Sequence, residues 1–106
     1  MKIASVNHYN ETKKRFEILL TNFDFYDGID LISNIICKEY PDTVNKKIEG
    51  IYYRQIEMKD DNCIYFLEWH EDIGNYIYSQ NEKDNYKLKL KIKRVIEIMN
   101  LEFHDL

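Results

Sequence analysis

A short polar run around the chain's only tryptophan contains the residue types that could do chemistry. It reads Glu68-Trp69-His70-Glu71-Asp72. If a strand continues through this run, Glu68 and His70 share a face, where the carboxylate could orient the imidazole or share a metal ion with it. The alternative is a solvated strand end with Trp69 buried. Because transition-metal sites usually recruit more nitrogen or sulfur ligands than one histidine, we expect no metal here and favour a solvated strand end or a partner contact.

The patterns that usually mark catalysis or cofactor binding are missing from the sequence. Its three glycines, Gly28, Gly50 and Gly74, are isolated, so none belongs to a phosphate-binding loop. There is no His-Glu-x-x-His, Cys-x-x-Cys or nucleophile-elbow pattern. We therefore expect neither enzymatic activity nor a cofactor.

Aromatic residues and carboxylates occur together in two segments, which is typical of a protein-binding surface. The first runs from Phe23 to Asp27 and the second from Trp69 to Tyr78. Aromatic side chains offer large rigid contact areas, and carboxylates steer a basic partner towards them. The alternative is that the aromatics are core and the carboxylates merely cap a helix and solvate a loop. The candidate partner-binding residues are Asp24, Phe25, Tyr26, Asp27, Glu68, His70, Glu71, Asp72, Tyr76 and Tyr78.

Charge is unevenly distributed along the chain, whose formal net charge is −4. The segment 82–99 carries Lys83, Lys87, Lys89, Lys91, Lys93 and Arg94 against Glu82, Asp84 and Glu97. A basic helix of this kind could serve a small nucleic-acid-binding regulator. The other interpretation is that long lysine stems cover the edges of an apolar stripe and pair with the acidic remainder. An acidic chain repels a phosphate backbone, so we expect nucleic acid to be an unlikely partner.

The first half of the chain predicts two helices. Phe16, Leu19, Leu20 and Phe23 recur at helical spacing behind Asn10, which predicts a helix near 11–22. The alternation of Phe16, Ile18 and Leu20 leaves a strand open there, but the preceding Lys13, Lys14 and Arg15 are good helix formers and favour the helix. A second helix is predicted over 27–40, capped by Asp27 and ended by Pro41. A polar loop is expected from 41 to 47.

The second half predicts a hairpin, a short strand and a helix. The β-type runs 48–59 and 63–70 flank the turn 60–62, and a third strand is expected over 75–79. Apolar residues from Leu88 to Met99 follow one helical face, which predicts a helix over 83–99. The tail from 101 to 106 is expected to fray. The sequence thus predicts a single α+β domain over 1–106, in which three helices pack on a small antiparallel sheet.

The chain shows no sign of export or membrane insertion. No apolar run approaches the roughly 20 residues that span a bilayer, and no apolar signal region follows Met1. Cys37 and Cys63 lie in apolar segments and are expected to be small core residues rather than a disulfide. These features predict a cytoplasmic location and no membrane partner.

In general character the chain resembles the immunity proteins of bacterial contact-dependent growth inhibition and related polymorphic toxin systems. The resemblance rests on the segments Phe23-Asp24-Phe25-Tyr26-Asp27-Gly28-Ile29-Asp30-Leu31-Ile32 and Leu67-Glu68-Trp69-His70-Glu71-Asp72-Ile73-Gly74-Asn75-Tyr76. It implies a non-catalytic protein that neutralises a cognate toxin domain, often a nuclease with a basic cleft, in the cytoplasm. A phage or mobile-element accessory binding protein is the other kind of binder that fits this composition.

Overall fold

The computed structural model describes residues 2–102 and has an α+β architecture. Six antiparallel strands form one sheet in the order β1-β2-β6-β5-β4-β3, and two α-helices pack on it. The elements are β1 (Ala4–Asn10), β2 (Arg15–Thr21), α1 (Gly28–Glu39), β3 (Thr43–Glu49), β4 (Tyr53–Asp60), β5 (Cys63–His70), β6 (Gly74–Ser79) and α2 (Asn85–Glu102), the last preceded by a short 3-10 turn at Glu82–Asp84. The predicted α+β class with an antiparallel sheet is confirmed.

One apolar core lies between the helices and a single face of the sheet. The inward residues of the three central strands include Ile56, Leu67 and Ile77, each fully buried. They meet the apolar stripes of the helices, represented by Ile32 in α1 and Ile92 in α2. Burial of each such side chain contributes roughly 1.5–3 kcal/mol. The helices predicted over 27–40 and 83–99, the hairpin turn and the short third strand are all present.

The helix predicted near 11–22 is wrong, because this segment belongs to the hairpin of β1 and β2. The two strands pair in continuous register from Ala4 opposite Thr21 to Asn10 opposite Arg15. Asn10 does not cap a helix; its side chain accepts the Lys13 backbone N–H at 3.0 Å within the turn. The helix-favouring lysines thus lie in a turn, and the alternation of Phe16, Ile18 and Leu20 is the pattern that the fold follows.

The loop expected from 41 to 47 is also wrong, since Thr43–Glu49 forms the edge strand β3. All seven of its residues are exposed, so it has no buried face to leave an alternating pattern in the sequence. The following turn, Gly50–Tyr52, delays the start of β4 to Tyr53.

Three smaller expectations have different outcomes. Cys63 is buried as expected, whereas Cys37 is exposed on α1, and both are free thiols. Asp27 lies at the N-cap of α1 without a capping hydrogen bond from its side chain. The fraying expected over 101–106 falls largely outside the described residues, although 101 and 102 are helical.

Within residues 2–102, no helix is long and apolar enough to cross a membrane.

Candidate partner-binding surface

Three loops meet at one end of the sheet and form what we call the loop surface: residues 22–27, 50–52 and 71–73. The phenol of Tyr26 donates a hydrogen bond to the carbonyl of Gly50 at 3.3 Å, which joins the first loop to the second. The backbone N–H of Glu71 donates to the carbonyl of Tyr52 at 3.0 Å, which joins the second to the third. The three loops are therefore one connected surface.

Buried side chains from β5 and β6 hold the first of these loops in place from beneath. The indole N–H of Trp69 donates to the carbonyl of Asp24 at 2.9 Å. The side-chain amide of Asn75 donates to the carbonyls of Phe23 and Phe25 at 3.0 and 3.1 Å. Because these donors lie on strands, the loop backbone is fixed relative to the sheet.

A buried arginine ties the same loop to α1 and β3. The guanidinium of Arg54, with only 3% of the residue exposed, donates to the carbonyl of Tyr26 at 2.8 Å. It also donates two hydrogen bonds to Asp30 (2.8 and 3.0 Å) and two to Glu49 (2.7 and 3.0 Å). Hydrogen bonds to Glu49 and then Asp30 raise the pKa of Arg54, and its guanidinium lowers the pKa of the Glu49 carboxyl. Arg54 therefore remains positively charged, and each of its three guanidinium nitrogens donates at least one hydrogen bond.

The loop surface exposes five apolar side chains. Ile51 is 80% exposed, Tyr52 62% and Phe25 61%, and Tyr26 and Ile73 are also exposed. Clustered apolar exposure of this kind marks interaction sites on soluble proteins. Exposed carboxylates of Asp24, Asp27, Glu71 and Asp72 lie in the same loops.

A cleft of about 940 Å³ opens beside the loop surface. Its walls include the apolar side chains of Phe23, Leu31 and Ile73, with Asp24 and Asp27 among the lining residues. An apolar channel with carboxylates suits a long basic side chain, whose methylenes and cationic head require different surroundings.

The predicted site residues divide between two regions. Asp24, Phe25, Tyr26, Asp27, Glu71 and Asp72 all belong to the loop surface. Glu68, Tyr76 and Tyr78 lie on the sheet face opposite the helices, and His70 lies between the two regions, where its Nδ1 accepts the Asp72 backbone N–H at 3.1 Å. The loop surface and the open sheet face are therefore neighbours rather than one continuous patch.

The solvated strand end expected at Glu68 is wrong, because Glu68 is 2% exposed and fully bonded. It accepts hydrogen bonds from the Tyr76 phenol at 2.6 Å, from the Gln55 amide at 2.7 Å and from the Tyr78 phenol. Burial, and then hydrogen bonding to Glu68, raises the pKa of Tyr76 and Tyr78. Burial also raises the pKa of Tyr53 to about 12. These residues offer little area to a partner and stabilise the sheet face instead.

Sequence reasoning missed Ile51, Tyr52 and Ile73 as members of the surface. The sequence predicts a strand through Ile51 and Tyr52, and Gly50 before them is the signal for the turn that exposes them. Arg54 was missed as well. The sequence feature that could have identified it is its position: Arg54 lies two residues before Ile56, so the two side chains share the inward face of β4.

The basic residues of α2 are partly neutralised within the protein. Lys91 is buried and bonds to Asp42 and, at 3.0 Å, to Asp60, which also pairs with Lys87 at 2.8 Å. Arg94 pairs with Glu39 at 3.2 Å. The expected pairing with the acidic remainder is confirmed for these three cations.

Residues 2–102 contain no group of three histidine, cysteine or carboxylate side chains that could hold a metal ion. No protein-family model matches the chain, and comparison with curated proteins and with solved structures finds no significant match.

Proposed function

We propose that this protein is a non-catalytic binding protein whose loop surface docks a partner protein with a basic surface. The observation that carries the proposal is the convergence of five exposed apolar residues, drawn from three loops, among carboxylates. Aromatic anchors of this type supply most of the binding energy at protein interfaces. Carboxylates around them accelerate the approach of a basic partner.

The rigidity of the loops supports the same proposal. Trp69, Asn75 and Arg54 fix the loop backbone with hydrogen bonds from the body of the fold. A surface that is ordered before binding loses less conformational entropy on association. The cleft beside it would take a lysine or arginine side chain of the partner.

The partner that the resemblance to immunity proteins favours is a cognate toxin domain in the cytoplasm. A nuclease domain fits this surface, because its substrate-binding cleft must be basic to hold a phosphate backbone. An acidic, apolar surface filling such a cleft would block the substrate and neutralise the toxin. The nucleic-acid-regulator alternative has less support, since Lys87, Lys91 and Arg94 of α2 pair within the chain.

The test is the affinity of the protein for the toxin domain encoded beside its gene, measured by isothermal titration calorimetry. We expect the double substitution Phe25→Ala with Tyr52→Ala to weaken binding at least 100-fold, since each anchor is worth about 2 kcal/mol or more. Higher salt should slow association of the unaltered protein.

The matched control is Tyr86→Ala with Leu90→Ala. These two side chains are 72% and 52% exposed on α2, away from the loop surface. We expect the control to bind like the unaltered protein. Equal losses in the two double variants, or no binding by the unaltered protein, would contradict the proposal.

A further inference from the structure

The two edges of the sheet differ in how they are protected against pairing with another strand. β3 carries Lys46, Lys47 and Glu49, and its register shifts between Val44 and Lys46. Charges and bulges are the devices by which natural proteins block an exposed edge. This edge is therefore closed to further strands.

β1 has none of these devices. Its sequence, Ala-Ser-Val-Asn-His-Tyr-Asn, contains no proline, no lysine and no carboxylate. Its register with β2 is uninterrupted over all seven residues. Six of those seven residues are exposed. An unblocked edge strand of this length is a template for another strand.

Helix α2 leaves room beside this edge. A cavity of about 190 Å³ lies between the helix-facing side of β1 and α2, and its lining includes Ser5, Asn7, Tyr86, Leu90 and Lys93. Tyr86 and Leu90 are largely exposed. A strand added to β1 would have space for the side chains that point towards α2.

The rim of this space is cationic. Lys89 and Lys93 both line the cavity and are exposed. Within the part of the chain that the structure describes, neither ammonium group donates a hydrogen bond or forms an ion pair, in contrast to those of Lys87 and Lys91 on the same helix. Two free ammonium groups beside an open edge favour an anionic occupant.

We propose that β1 is the docking edge for an extended acidic segment of a partner protein, which adds to the sheet as a seventh strand. Its carboxylates would face Lys89 and Lys93, and its apolar residues would lie beside the exposed side chain of Val6 on the other face. A second copy of β1 fits less well. It has no carboxylate, so it would leave both lysines unpaired. The site shares no residue with the loop surface, and the proposal stands independently of the partner proposed there.

The probe is a labelled seven-residue peptide that alternates valine and glutamate, with blocked ends, followed by fluorescence anisotropy. We expect saturable binding that is at least tenfold tighter than binding of the matched valine–lysine peptide. Binding should also protect the β1 amides from hydrogen exchange. N-methylation of the alternate peptide nitrogens that face β1 should abolish it, because the added strand then loses its backbone donors to this edge.

Two charge-reversed variants separate this edge from general attraction between the peptide and lysines. Lys89→Glu with Lys93→Glu should weaken binding at least tenfold. The control is Lys46→Glu with Lys59→Glu. These residues lie in β3 and β4, near the opposite edge of the sheet, and the control should leave binding unchanged. The proposal is overturned if the valine–glutamate peptide does not bind, or if both variants bind alike. Sedimentation showing a dimer with protected β1 amides would also overturn it, by assigning the edge to a second copy.

Discussion

At the scale of single residues, Arg54 is the position where the surface and the core depend on one side chain. It points inward from β4, in a row with Ile56 and Met58, and so occupies a position where the sheet otherwise buries apolar groups. Its five hydrogen bonds to Tyr26, Asp30 and Glu49 compensate the loss of water around the charge. Removal of the guanidinium leaves the Asp30 carboxylate and the Tyr26 carbonyl without their donor.

Arg54→Met should therefore lower the free energy of unfolding by roughly 2–3 kcal/mol, somewhat less than breaking a fully buried ion pair costs, because Asp30 and Glu49 are partly exposed. Urea unfolding followed by tryptophan fluorescence measures this directly. The only tryptophan, Trp69 of β5, contacts Tyr26, whose carbonyl accepts a hydrogen bond from Arg54. The control is Arg94→Met. Arg94 pairs with Glu39 and Glu97 at the surface, where such pairs contribute roughly 0–1 kcal/mol. Similar losses in the two variants would show that Arg54 does not organise the loop.

At the scale of elements, the junction between the first loop and α1 is packed without spare room. A Cβ built on Gly28 would lie 2.4 Å from the Asn75 amide nitrogen and 2.8 Å from the Phe23 ring. That amide is the donor that holds the carbonyls of Phe23 and Phe25. Position 28 therefore requires glycine, because the Asn75 side chain of β6 approaches the backbone there closely. This holds even though Gly28 is the first residue of α1, where helix propensity disfavours glycine.

Gly28→Ala should lower the free energy of unfolding by roughly 1–3 kcal/mol, as overpacking does in a tight site. Helix propensity alone predicts the opposite sign, a gain of about 1 kcal/mol. Asn34→Ala, at an exposed position of the same helix, should be neutral or stabilising. Thermal unfolding of the two variants and of the unaltered protein measures the sign of each effect. A Gly28→Ala protein that is more stable than the unaltered one would show that the amide of Asn75 can move away.

Elements with a buried face were predictable, and edge elements were not. The inward stripes of α1 and α2 and the hairpin around Asp61 follow from periodicity and turn chemistry. β2 follows the alternation of Phe16, Ile18 and Leu20, whereas the helix propensity of Lys13 and Lys14 has no effect because both residues lie in the preceding turn. β1 and β3 left no alternation, since nearly all of their residues face solvent. For such strands the pairing partner, rather than local sequence, decides the structure.

The candidate site was predictable to the same degree. The segments around Asp24 and Glu71 carry a composition that indicates contact with a partner. The burial of Glu68 could not be predicted from the sequence. It depends on neighbouring side chains in β4 and β6, and only the register of the strand pairs places those side chains beside Glu68. A carboxylate surrounded by phenols has the same sequence signature as one in water.

At the scale of the whole molecule, charge is separated between its surfaces. The loop surface carries Asp24, Asp27, Glu71 and Asp72, and the side of α2 that borders β1 carries the free ammonium groups of Lys89 and Lys93. Fields from the two regions orient an approaching charged partner before contact. The two proposed sites therefore select partners of opposite sign, a basic domain at the loops and an acidic strand at β1.

The fold as a whole should lose stability in alkaline solution, because several tyrosines that are buried, or half-buried in the case of Tyr53, resist ionisation. Burial raises the pKa of Tyr53 from 10.0 to about 12, and it also raises the pKa of Tyr65, Tyr76 and Tyr78. A raised folded-state pKa means that the stabilisation is complete below pH 10 and declines as the pH rises through the folded-state value. Each phenol that ionises only on unfolding steepens this decline by up to about 1.4 kcal/mol per pH unit.

Tyr53→Phe should remove one such group. Urea unfolding between pH 10 and pH 12 should give a shallower loss of stability, with one proton fewer released on unfolding. Tyr86→Phe is the control, because this side chain is 72% exposed on α2. We expect its slope to match that of the unaltered protein. Identical slopes for all three proteins would mean that the open sheet face admits water to Tyr53 and that the network around Glu68 is looser than its hydrogen bonds indicate.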